Sequence, residues 1–457
     1  MADAAAEAGR RPPAWLLAAL LALGVVLAAA AMGRPFHADE AGQWSLAAEG
    51  RPHSLTGDRF HGPALGLSAR AAAAVAGQPL AEASAAFLRS VPVAFALSLA
   101  FIPWALPSDG RRGWVAGLLA LPVVLLSARF IQEPLMAAAL VWSAALWLRA
   151  GPEGAARPRL LSGLCAGLAL ACKVTAALHL GLAAAAVLLL RRSAPGWRGF
   201  AAFLAGLVAS WALGQSSLFT DLPALSTWWK QLFRAFGVAT GASEPPLPMG
   251  SPAPWIITAL LLAIALGCRM LPRRDAARAS GRPEDVLLLA AAAAYAVHLS
   301  LPYKTPWLLL TPDAILLVLV LPALASATGF LRGLVPVAAG LATVAAADRH
   351  DYVETSADVP ALAAALREPD SRPELVLVRG DHVWPFPFYL RGLRVGYGAV
   401  PDPAQAEVWI LQASGSEPPQ AEGRRAIAFA VRDNELWWAL APEPLAGRLE
   451  AALRAAR

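Results

Sequence analysis

The sequence predicts a polytopic α-helical membrane protein of about 11 transmembrane helices, followed by a small α/β domain. Three observations favour this fold class. Of the 457 residues, 57% are hydrophobic and only 15% are charged, a balance typical of chains that span membranes repeatedly. Long apolar runs recur as far as residue 347, and arginines cluster in alternate connections between them.

Each apolar run is a candidate membrane helix, which needs roughly 20 residues to cross a bilayer. The first run, AWLLAALLALGVVLAAAAM, is too long for the core of a signal peptide and predicts a retained helix. The stretch 160–190 fits either one long helix or a pair. The predicted helices are 14–32, 91–106, 114–128, 135–149, 160–172, 175–190, 200–219, 255–268, 286–302, 307–327 and 333–347.

The arginines predict the orientation of the chain. If Arg10 and Arg11 are cytoplasmic, the later arginine-rich connections all fall on the cytoplasmic side as well. We therefore expect a multi-pass protein of the cytoplasmic (inner) membrane with a cytoplasmic N-terminus. A transmembrane domain, 1–347, would expose loops 33–90 and 220–254 on the outer face, and 348–457 would lie outside as a separate domain.

The segment 348–457 differs in pattern from the rest. ELVLVRG and AEVWILQAS are short β-type runs, and AIAFAVRDNELWWALAP predicts two paired strands. ALAAALREP and LAGRLEAALRAAR have helical periodicity. The segment therefore predicts a small α/β domain.

Charge and cysteine usage exclude two other classes. The formal charge of +6 arises mainly from arginines in short loops, so it indicates membrane topology rather than nucleic-acid binding. Cys165, Cys172 and Cys268 lie in or beside apolar runs without metal-ligand spacing. They are expected to be small buried side chains, and no disulfide framework is predicted.

Two adjacent carboxylates, Asp39 and Glu40, follow directly on the first apolar run in the motif HADEAGQW. A second motif of the same loop, FHGPALG, supplies His61. These groups are either a solvated loop end or a site in which carboxylates and imidazoles act as general base and metal ligands. The spacing from Glu40 to Trp44 and Ala47 predicts a short amphipathic helix at the membrane surface.

The turn RFIQEP carries another carboxylate, Glu133, beside Arg129. An arginine in a short outer connection runs against the usual distribution of positive charge. Arg129 is therefore expected either to pair with Glu133 or to bind an anion.

Lysine is scarce in this chain: Lys173, Lys230 and Lys304 are the only three. Lys173 and Lys304 each lie at the outer end of a predicted membrane helix, in CKVTAALH and LPYKTPWLLL. They either extend to lipid headgroups or bind the phosphate of a lipid-linked substrate. The aromatic neighbours Tyr303 and Trp307 are either interfacial residues or contacts for a sugar or acceptor.

The motifs HADEAGQW, FHGPALG, RFIQEP, CKVTAALH, YKTPWLLL and WPFPFYLRG together resemble the GT-C superfamily. This superfamily consists of multispanning glycosyltransferases that use polyprenyl-phosphate sugars. The pattern is most similar to a PMT-like subgroup, the flippase-activity-associated membrane proteins of archaeal-type N-glycosylation, and it covers nearly the whole chain.

The resemblance implies roles for individual residues. Asp39 would be the catalytic base or the metal-binding neighbour of that base, and Glu133 the second acidic member of the catalytic site. The adjacent Glu40 is a further catalytic candidate from the sequence itself. A divalent cation, Mg²⁺ or Mn²⁺, would bind Asp39 and Glu133. The chain departs from the subgroup pattern at Gln132, where arginine is usual, and at Glu133, where related enzymes more often have aspartate. The implied donor-phosphate ligands are Lys173 and Lys304. The residues themselves make Arg129 a further candidate for the donor phosphate, and His61, Tyr303 and Trp307 candidates for acceptor or sugar contacts.

The expected function is transfer of a sugar from a polyprenyl-phosphate donor to a protein, lipid or glycan acceptor on the outer face of the membrane. A second hypothesis is a lipid-linked glycan flippase or transport accessory without transferase activity. A third is a scaffold whose tail recruits a partner.

Overall fold

The computed structural model of the protein describes residues 14–50, 61–102, 128–150, 155–190, 196–240, 252–270, 283–302, 306–326, 355–381, 383–398, 405–413, 415, 417–432 and 435–457. The chain divides into two compact units. Met1–Met32 and Leu46–Arg349 form the first unit, and Gly33–Ser45 and His350–Arg457 form the second. The division therefore runs through one helix, between Ser45 and Leu46.

The regular secondary structure among the described residues of the first unit is helical. Short 3₁₀ segments, Leu80–Glu82, Leu99–Phe101 and Pro306–Leu309, adjoin some of its α-helices. The α-helices are α1 (Ala14–Met32), α2 (Ala38–Glu49, shared with the second unit), α3 (Ala64–Ala76), α4 (Ala85–Ser98), α5 (Gln132–Ala150), α6 (Ala156–Cys172), α7 (Ala176–Leu190), α8 (Trp197–Gln215), α9 (Pro223–Ala239), α10 (Ala253–Met270), α11 (Pro283–Ser300) and α12 (Leu310–Ser326).

The core of the first unit joins α1, α4, α5, α10, α11 and α12. Its buried side chains are almost all aliphatic, so the helices pack without polar atoms that would need partners. Representative members are Ala28, Val93, Val141, Leu261, Leu288 and Leu316.

Glycines bring α6 and α8 into backbone contact. A Cβ atom at Gly163 would lie 2.0 Å from the carbonyl oxygen of Phe203, and one at Gly167 would lie 2.3 Å from that of Leu207. On the opposite helix, a Cβ at Gly206 would lie 2.3 Å from the carbonyl oxygen of Leu160. Gly163 and Gly167 form a GxxxG pair, the spacing that lets helices approach closely in membranes.

The predicted apolar runs are found as helices wherever the structure describes them, with some changed boundaries. The run predicted from residue 91 begins earlier, at Ala85, because the Ser84 hydroxyl accepts a hydrogen bond from the Phe87 N–H at 3.1 Å and caps the helix. Arg159, expected in a loop, lies inside α6, where its guanidinium stacks 3.4 Å from the centre of the Trp147 ring. The predicted helices 114–128 and 333–347 lie outside the described residues, except for Ala128.

Many large apolar side chains of the first unit are exposed, including Leu188 and Trp197 at 75% and 76%. Helix α8 has both the length and the hydropathy of a membrane span, and 11% of that span is buried. Shorter apolar stretches of 10–17 residues occur in other described helices, among them Ala176–Leu190 and Ala253–Gly267. The total of about 11 spans therefore stays a prediction.

The two predicted outer loops contain helices. Loop 33–90 includes α2 and α3, and loop 220–254 includes α9. On α9, Trp229, Phe233 and Phe236 are exposed, whereas Trp228 is buried against Trp211 at a ring-centroid distance of 5.7 Å.

The second unit contains a five-stranded mixed sheet. Its strands are β1 (Val376–Arg379), β2 (Val395–Tyr397), β3 (Val408–Gln412), β4 (Arg425–Arg432) and β5 (Glu435–Ala441). The order is β2-β1-β3-β5-β4, and β1 pairs in parallel with both β2 and β3. The remaining pairs, β3 with β5 and β4 with β5, are antiparallel. The strand predictions in ELVLVRG, AEVWILQAS and AIAFAVRDNELWWALAP are confirmed.

Helices α13 (Asp358–Ala365), α14 (Phe386–Tyr389) and α15 (Glu443–Ala456) complete the second unit. The core contains Trp437 and Phe429, both fully buried, together with aliphatic residues from α13 and α15. Asp358 ties these elements together, because its carboxylate accepts bonds from the Ala430 N–H at 3.0 Å and from the Arg457 guanidinium at 2.9 Å. The helices predicted from ALAAALREP and LAGRLEAALRAAR are confirmed by α13 and α15.

Candidate functional site

Lys173 lies at the break between α6 and α7. Its backbone is extended, with φ −153° and ψ 135°, so the helix that ends at Cys172 cannot continue through it. The next helix begins at Ala176, whose N–H donates to the Lys173 carbonyl at 3.0 Å. Lys173 is only 8% exposed. The stretch 160–190 is therefore a pair of helices with a buried lysine between them.

The backbone of His61 and Gly62 pairs with the extended backbone between α6 and α7, as in a short β-strand. His61 and Lys173 form an isolated antiparallel β-bridge. The Gly62 N–H donates to the Cys172 carbonyl at 2.7 Å, and the side-chain amide of Gln132 donates to the Gly62 carbonyl at 3.0 Å. These bonds satisfy backbone groups that a helix break leaves unpaired.

The Lys173 ammonium donates a hydrogen bond to the Glu133 carboxylate. The two side chains are 10% and 5% exposed, so each charge depends on the other for stabilisation. His61 adds a further electrostatic interaction with Glu133. The structure therefore brings together three of the predicted site residues, which lie far apart in the sequence. We refer to His61, Glu133 and Lys173 as the lysine corner.

The lysine corner can accept an anion. An ammonium group carries three N–H donors. Among the described residues, Glu133 is the acceptor that the Lys173 ammonium contacts. The other two N–H groups can reach an anionic group such as a phosphate, while Glu133 and the helix break fix the position of the ammonium.

Arg129 lies in the bend that leads into α5, and it is 9% exposed. Its carbonyl accepts a hydrogen bond from the Ile131 N–H at 2.9 Å. The sequence suggested Glu133 as one possible partner of Arg129. In the structure, Glu133 forms an ion pair with Lys173. That Arg129 binds an anion stays a prediction.

The acidic motif begins α2 with two reciprocal cap bonds. The Asp39 N–H donates to His37 Nδ1 at 2.8 Å, and the His37 N–H donates to Glu40 Oε2 at 2.8 Å. This is a variant of a capping box: histidine replaces the usual serine or threonine, and it accepts from the second helical N–H rather than the third. Glu40 is fully buried. Its carboxylate therefore stabilises the start of the helix.

Asp39 is the accessible carboxylate of the two, with a side chain that is 57% exposed. His37 Nδ1, which accepts the Asp39 N–H, lies 3.9 Å from Asp39 Oδ2. Asp39 stays the better candidate for a base that meets an acceptor from solvent.

Asp313 is a buried carboxylate that the sequence analysis did not single out. It lies in the first turn of α12 and is 5% exposed. The Thr258 hydroxyl of α10 donates to its Oδ1 at 2.6 Å, and Tyr295 of α11 interacts with it electrostatically. The signal was present in the sequence, because LTPDAILLVLV places an acidic residue inside an apolar run, where ionisable residues are rare and often functional.

Several predicted site residues lie at the edge of the described ranges or beyond them. Lys304 and Tyr303 are outside the described residues. The backbone at Trp307 belongs to the 3₁₀ segment Pro306–Leu309. Their proposed roles stay predictions from the sequence.

The predicted metal ligands Asp39 and Glu133 belong to different compact units. Within the described ranges, no group of three or more His, Cys, Asp or Glu side chains could hold a metal ion. The Glu133 carboxylate binds the Lys173 ammonium, so a cation at this carboxylate would compete with Lys173. Binding of Mg²⁺ or Mn²⁺ stays a prediction.

A cavity of about 440 Å³ lies within the first unit, lined by α5, α6, α7, α8, α11 and α12. Its polar side chains are Ser143 and Ser162, whose hydroxyls bond to each other at 3.1 Å, and His179. Apolar residues form the rest of the wall, among them Leu140, Trp147, Phe203, Val286 and Ile315. The cavity therefore suits an apolar chain.

Sequence comparison gives no relative: no protein-family model matches the chain, and no curated protein sequence matches it. The fold does match solved structures of ArnT from Cupriavidus metallidurans. The apo structure is 14% identical with a TM-score of 0.53, over 95% of this chain and 98% of that one. The structure bound to undecaprenyl phosphate is 14% identical with a TM-score of 0.55, over 92% and 97% of the two chains.

The chain therefore shares the fold of ArnT over nearly its whole length. Membership of the GT-C superfamily stays a prediction from the sequence motifs, as does membership of the flippase-associated subgroup.

Proposed function

We propose that the protein is a membrane glycosyltransferase that transfers a sugar from a polyprenyl-phosphate donor to an acceptor on the outer face of the cytoplasmic membrane. The observation that carries this proposal is the similarity of fold, over 92% of the chain, to ArnT bound to undecaprenyl phosphate. The finer proposal, a PMT-like enzyme acting on a protein, lipid or glycan, rests on the sequence motifs.

The lysine corner and the cavity support a lipid-phosphate donor. Lys173 is buried and held by Glu133, with donor capacity left for an anionic group. The apolar cavity of about 440 Å³ offers space for part of an isoprenoid chain. A phosphate at one end and hydrocarbon at the other are the two chemical features of such a donor.

The proposed reaction is a single displacement at the anomeric carbon. An acceptor hydroxyl or amide attacks this carbon and loses its proton to the Asp39 carboxylate, while the bond from the carbon to the phosphate oxygen breaks. The phosphate leaves with the electron pair, and the configuration inverts. Because a phosphate is a good leaving group, we expect Lys173, Lys304 or Arg129 to stabilise its charge, and no strong general acid is needed.

Transfer in liposomes tests the proposal. Purified protein would be reconstituted with a polyprenyl phosphate that carries a radiolabelled sugar, together with a membrane extract as acceptor source. We expect label to move from the lipid into a product, and protein-free liposomes to keep it on the lipid.

The same experiment separates the flippase hypothesis. A flippase or transport accessory moves the labelled lipid between leaflets, so the label changes its accessibility from outside but stays on the carrier. Leaflet exchange without product would overturn the transferase proposal and favour this alternative.

A further inference from the structure

The second unit consists of two parts of the chain. We call Gly33–Ser45, which carries Asp39, the acidic segment, and the described residues from 355 to 457 the tail. The acidic segment packs against the tail. The ring of Phe36, before the acidic motif, stacks on Phe388 with centroids 4.0 Å apart. The Trp44 ring, at the end of the motif, meets the same Phe388 edge-on at 5.3 Å. All three rings are at least nine-tenths buried, so these contacts are well excluded from water.

Hydrogen bonds fix the backbone at the start of the segment. The Phe36 N–H donates to the hydroxyl oxygen of Tyr389. The Thr355 hydroxyl donates to the Phe36 carbonyl at 2.9 Å. Both main-chain polar groups of Phe36 are therefore bound by residues more than 300 positions later in the chain.

Arg391 covers the aromatic contact. Its guanidinium lies 4.2 Å from the centre of the Phe388 ring and 5.7 Å from that of Trp44. Burial, together with the charge of Arg367, lowers the pKa of the Arg391 guanidinium below its usual value. A partly desolvated guanidinium over aromatic faces is a favourable cation–π arrangement.

The sequence WPFPFYLRG explains how one short turn makes these contacts. Phe386 is fully buried and packs on Trp437 and Phe429 of the sheet, with centroids 5.0 and 6.2 Å away. Phe388 and Tyr389, in the same helical turn α14, contact the acidic segment. Phe386 therefore anchors the turn to the sheet, while Phe388 and Tyr389 contact the acidic segment.

We propose that the tail is a positioning domain for Asp39, with Phe388, Tyr389 and Arg391 as the positioning residues. They hold Phe36 and Trp44, which flank the capping box of α2, and so they fix the helix turn from which the Asp39 side chain reaches solvent. The catalytic part of this inference rests on the proposed function. The orientation of the Asp39 carboxylate would strongly affect the rate of the chemical step, because a small displacement of a base misaligns it for proton transfer.

Hydrogen exchange tests the positioning without any assay of activity. In the full-length protein, Tyr389→Phe removes one hydroxyl and Phe388→Ala removes one ring. We expect amides within 36–44 to exchange about five- to tenfold faster in Tyr389→Phe, as fits the loss of one hydrogen bond, and faster still in Phe388→Ala. Tyr397→Phe, a tyrosine of β2, is the matched control and should leave these amides unchanged.

Amides of β4 and β5 report whether the tail itself remains folded. If the amides of β4 and β5 stay protected while those of 36–44 exchange faster, the faster exchange results from loss of the contact between this segment and Phe388 or Tyr389. Unchanged exchange within 36–44 in both variants would overturn the inference.

Kinetics test the catalytic part. A positioning role predicts that Tyr389→Phe and Phe388→Ala lower kcat with little change in the KM for the donor, and that Phe388→Tyr, which keeps the ring, restores most of the rate. Faster exchange within 36–44 at an unchanged kcat would overturn the positioning of a catalytic base. If the wild-type protein transfers no sugar, the proposed function fails while the exchange experiment still decides whether the tail holds the segment.

Discussion

At the scale of single residues, the lysine corner depends on Gly62. A Cβ atom at this position would lie 1.9 Å from the carbonyl oxygen of Ala171, a backbone atom that cannot rotate away. The β-bridge between His61 and Lys173 and the bond from Gly62 to Cys172 require this close approach. Position 62 therefore requires glycine because there is no space for a side chain, and not because of an unusual backbone conformation.

We therefore predict that Gly62→Ala opens the corner and destabilises the first unit by about 1–3 kcal/mol, the usual cost of an overpacked site. Thermal unfolding of the detergent-solubilised protein measures this. Gly181→Ala on α7 is the control, because a Cβ there meets nothing within 4 Å. Equal melting temperatures for Gly62→Ala and the wild type would mean that the corner is not packed as described.

The buried pair of Lys173 and Glu133 gives a second prediction. Breaking a buried ion pair by removing one partner costs about 3–5 kcal/mol, because the other charge is left uncompensated. Lys173→Met and Glu133→Gln should each destabilise the protein, and the double variant should be more stable than the sum of the two losses predicts. Thermal unfolding of the three variants gives this coupling.

Binding of undecaprenyl phosphate separates structure from function in the same variants. Lys173→Met should weaken binding, whereas Glu133→Gln, which leaves the ammonium in place, should bind the lipid at least as well as the wild type. If the stability loss of the double variant equals the sum of the two single losses, Lys173 and Glu133 do not interact. If Lys173→Met binds the lipid as well as the wild type, Lys173 does not bind the phosphate.

Some of these residue roles could be predicted and others could not. Lys173 stood out because lysine is scarce, but its partner Glu133 lies 40 positions away and is found only through tertiary structure. The capping box of Glu40 was missed because its first residue is His37, outside the serine and threonine pattern that identifies such boxes.

At the scale of elements, the packing of α6 on α8 follows from the glycines at their interface. Backbone atoms of α8 lie where a Cβ of Gly163 or Gly167 would be, and backbone atoms of α6 lie where one of Gly206 would be. Small residues drive such packing in membranes, since lipid offers no hydrophobic gain for bringing two apolar helices together.

We predict that Gly163→Leu and Gly167→Leu each separate α6 from α8 and lower the melting temperature strongly. The loss should exceed the roughly 1–3 kcal/mol of an ordinary overpacked core position, because backbone atoms must move. Gly181→Leu, on the exposed side of α7, is the matched control and should melt like the wild type. Wild-type stability in the two interface variants would show that the helices are not in contact there.

Hydrophobic runs identified the described helices of the first unit well, because long apolar segments give a strong signal. The break at Lys173 was one of two alternatives, since only the pairing with His61 and Gly62 decides it. Strand β2, the three residues Val395–Tyr397, is too short to show alternation and was not predicted. Helix α9 was hidden in a segment that we treated as a loop.

At the scale of the whole molecule, composition and arginine placement predicted a multispanning protein, and the fold matches that of ArnT over nearly the whole chain. What the sequence could not reveal is that Gly33–Ser45 belongs to the same compact unit as the tail. The contact of Phe36 with Phe388 joins positions more than 300 residues apart, and no local pattern encodes such a pairing.

The orientation in the membrane gives a further prediction at this scale. Single cysteines at positions 57 and 420 should react with a membrane-impermeant thiol reagent added outside the cell, and one at position 277 should react only after permeabilisation. A variant without the native cysteines provides the background. Outside labelling at 277 with none at 57 would reverse the topology and place the proposed site on the wrong face.

Asp39→Asn tests the central claim most directly. The substitution keeps the shape of the side chain and removes the proton acceptor, so the rate of sugar transfer in liposomes should fall by about 10²–10⁴-fold. Undecaprenyl phosphate binding should stay close to that of the wild type, and Glu49→Gln, on the same helix, should transfer normally. Near-normal transfer by Asp39→Asn would contradict the account, because the protein would then not use this carboxylate as its base.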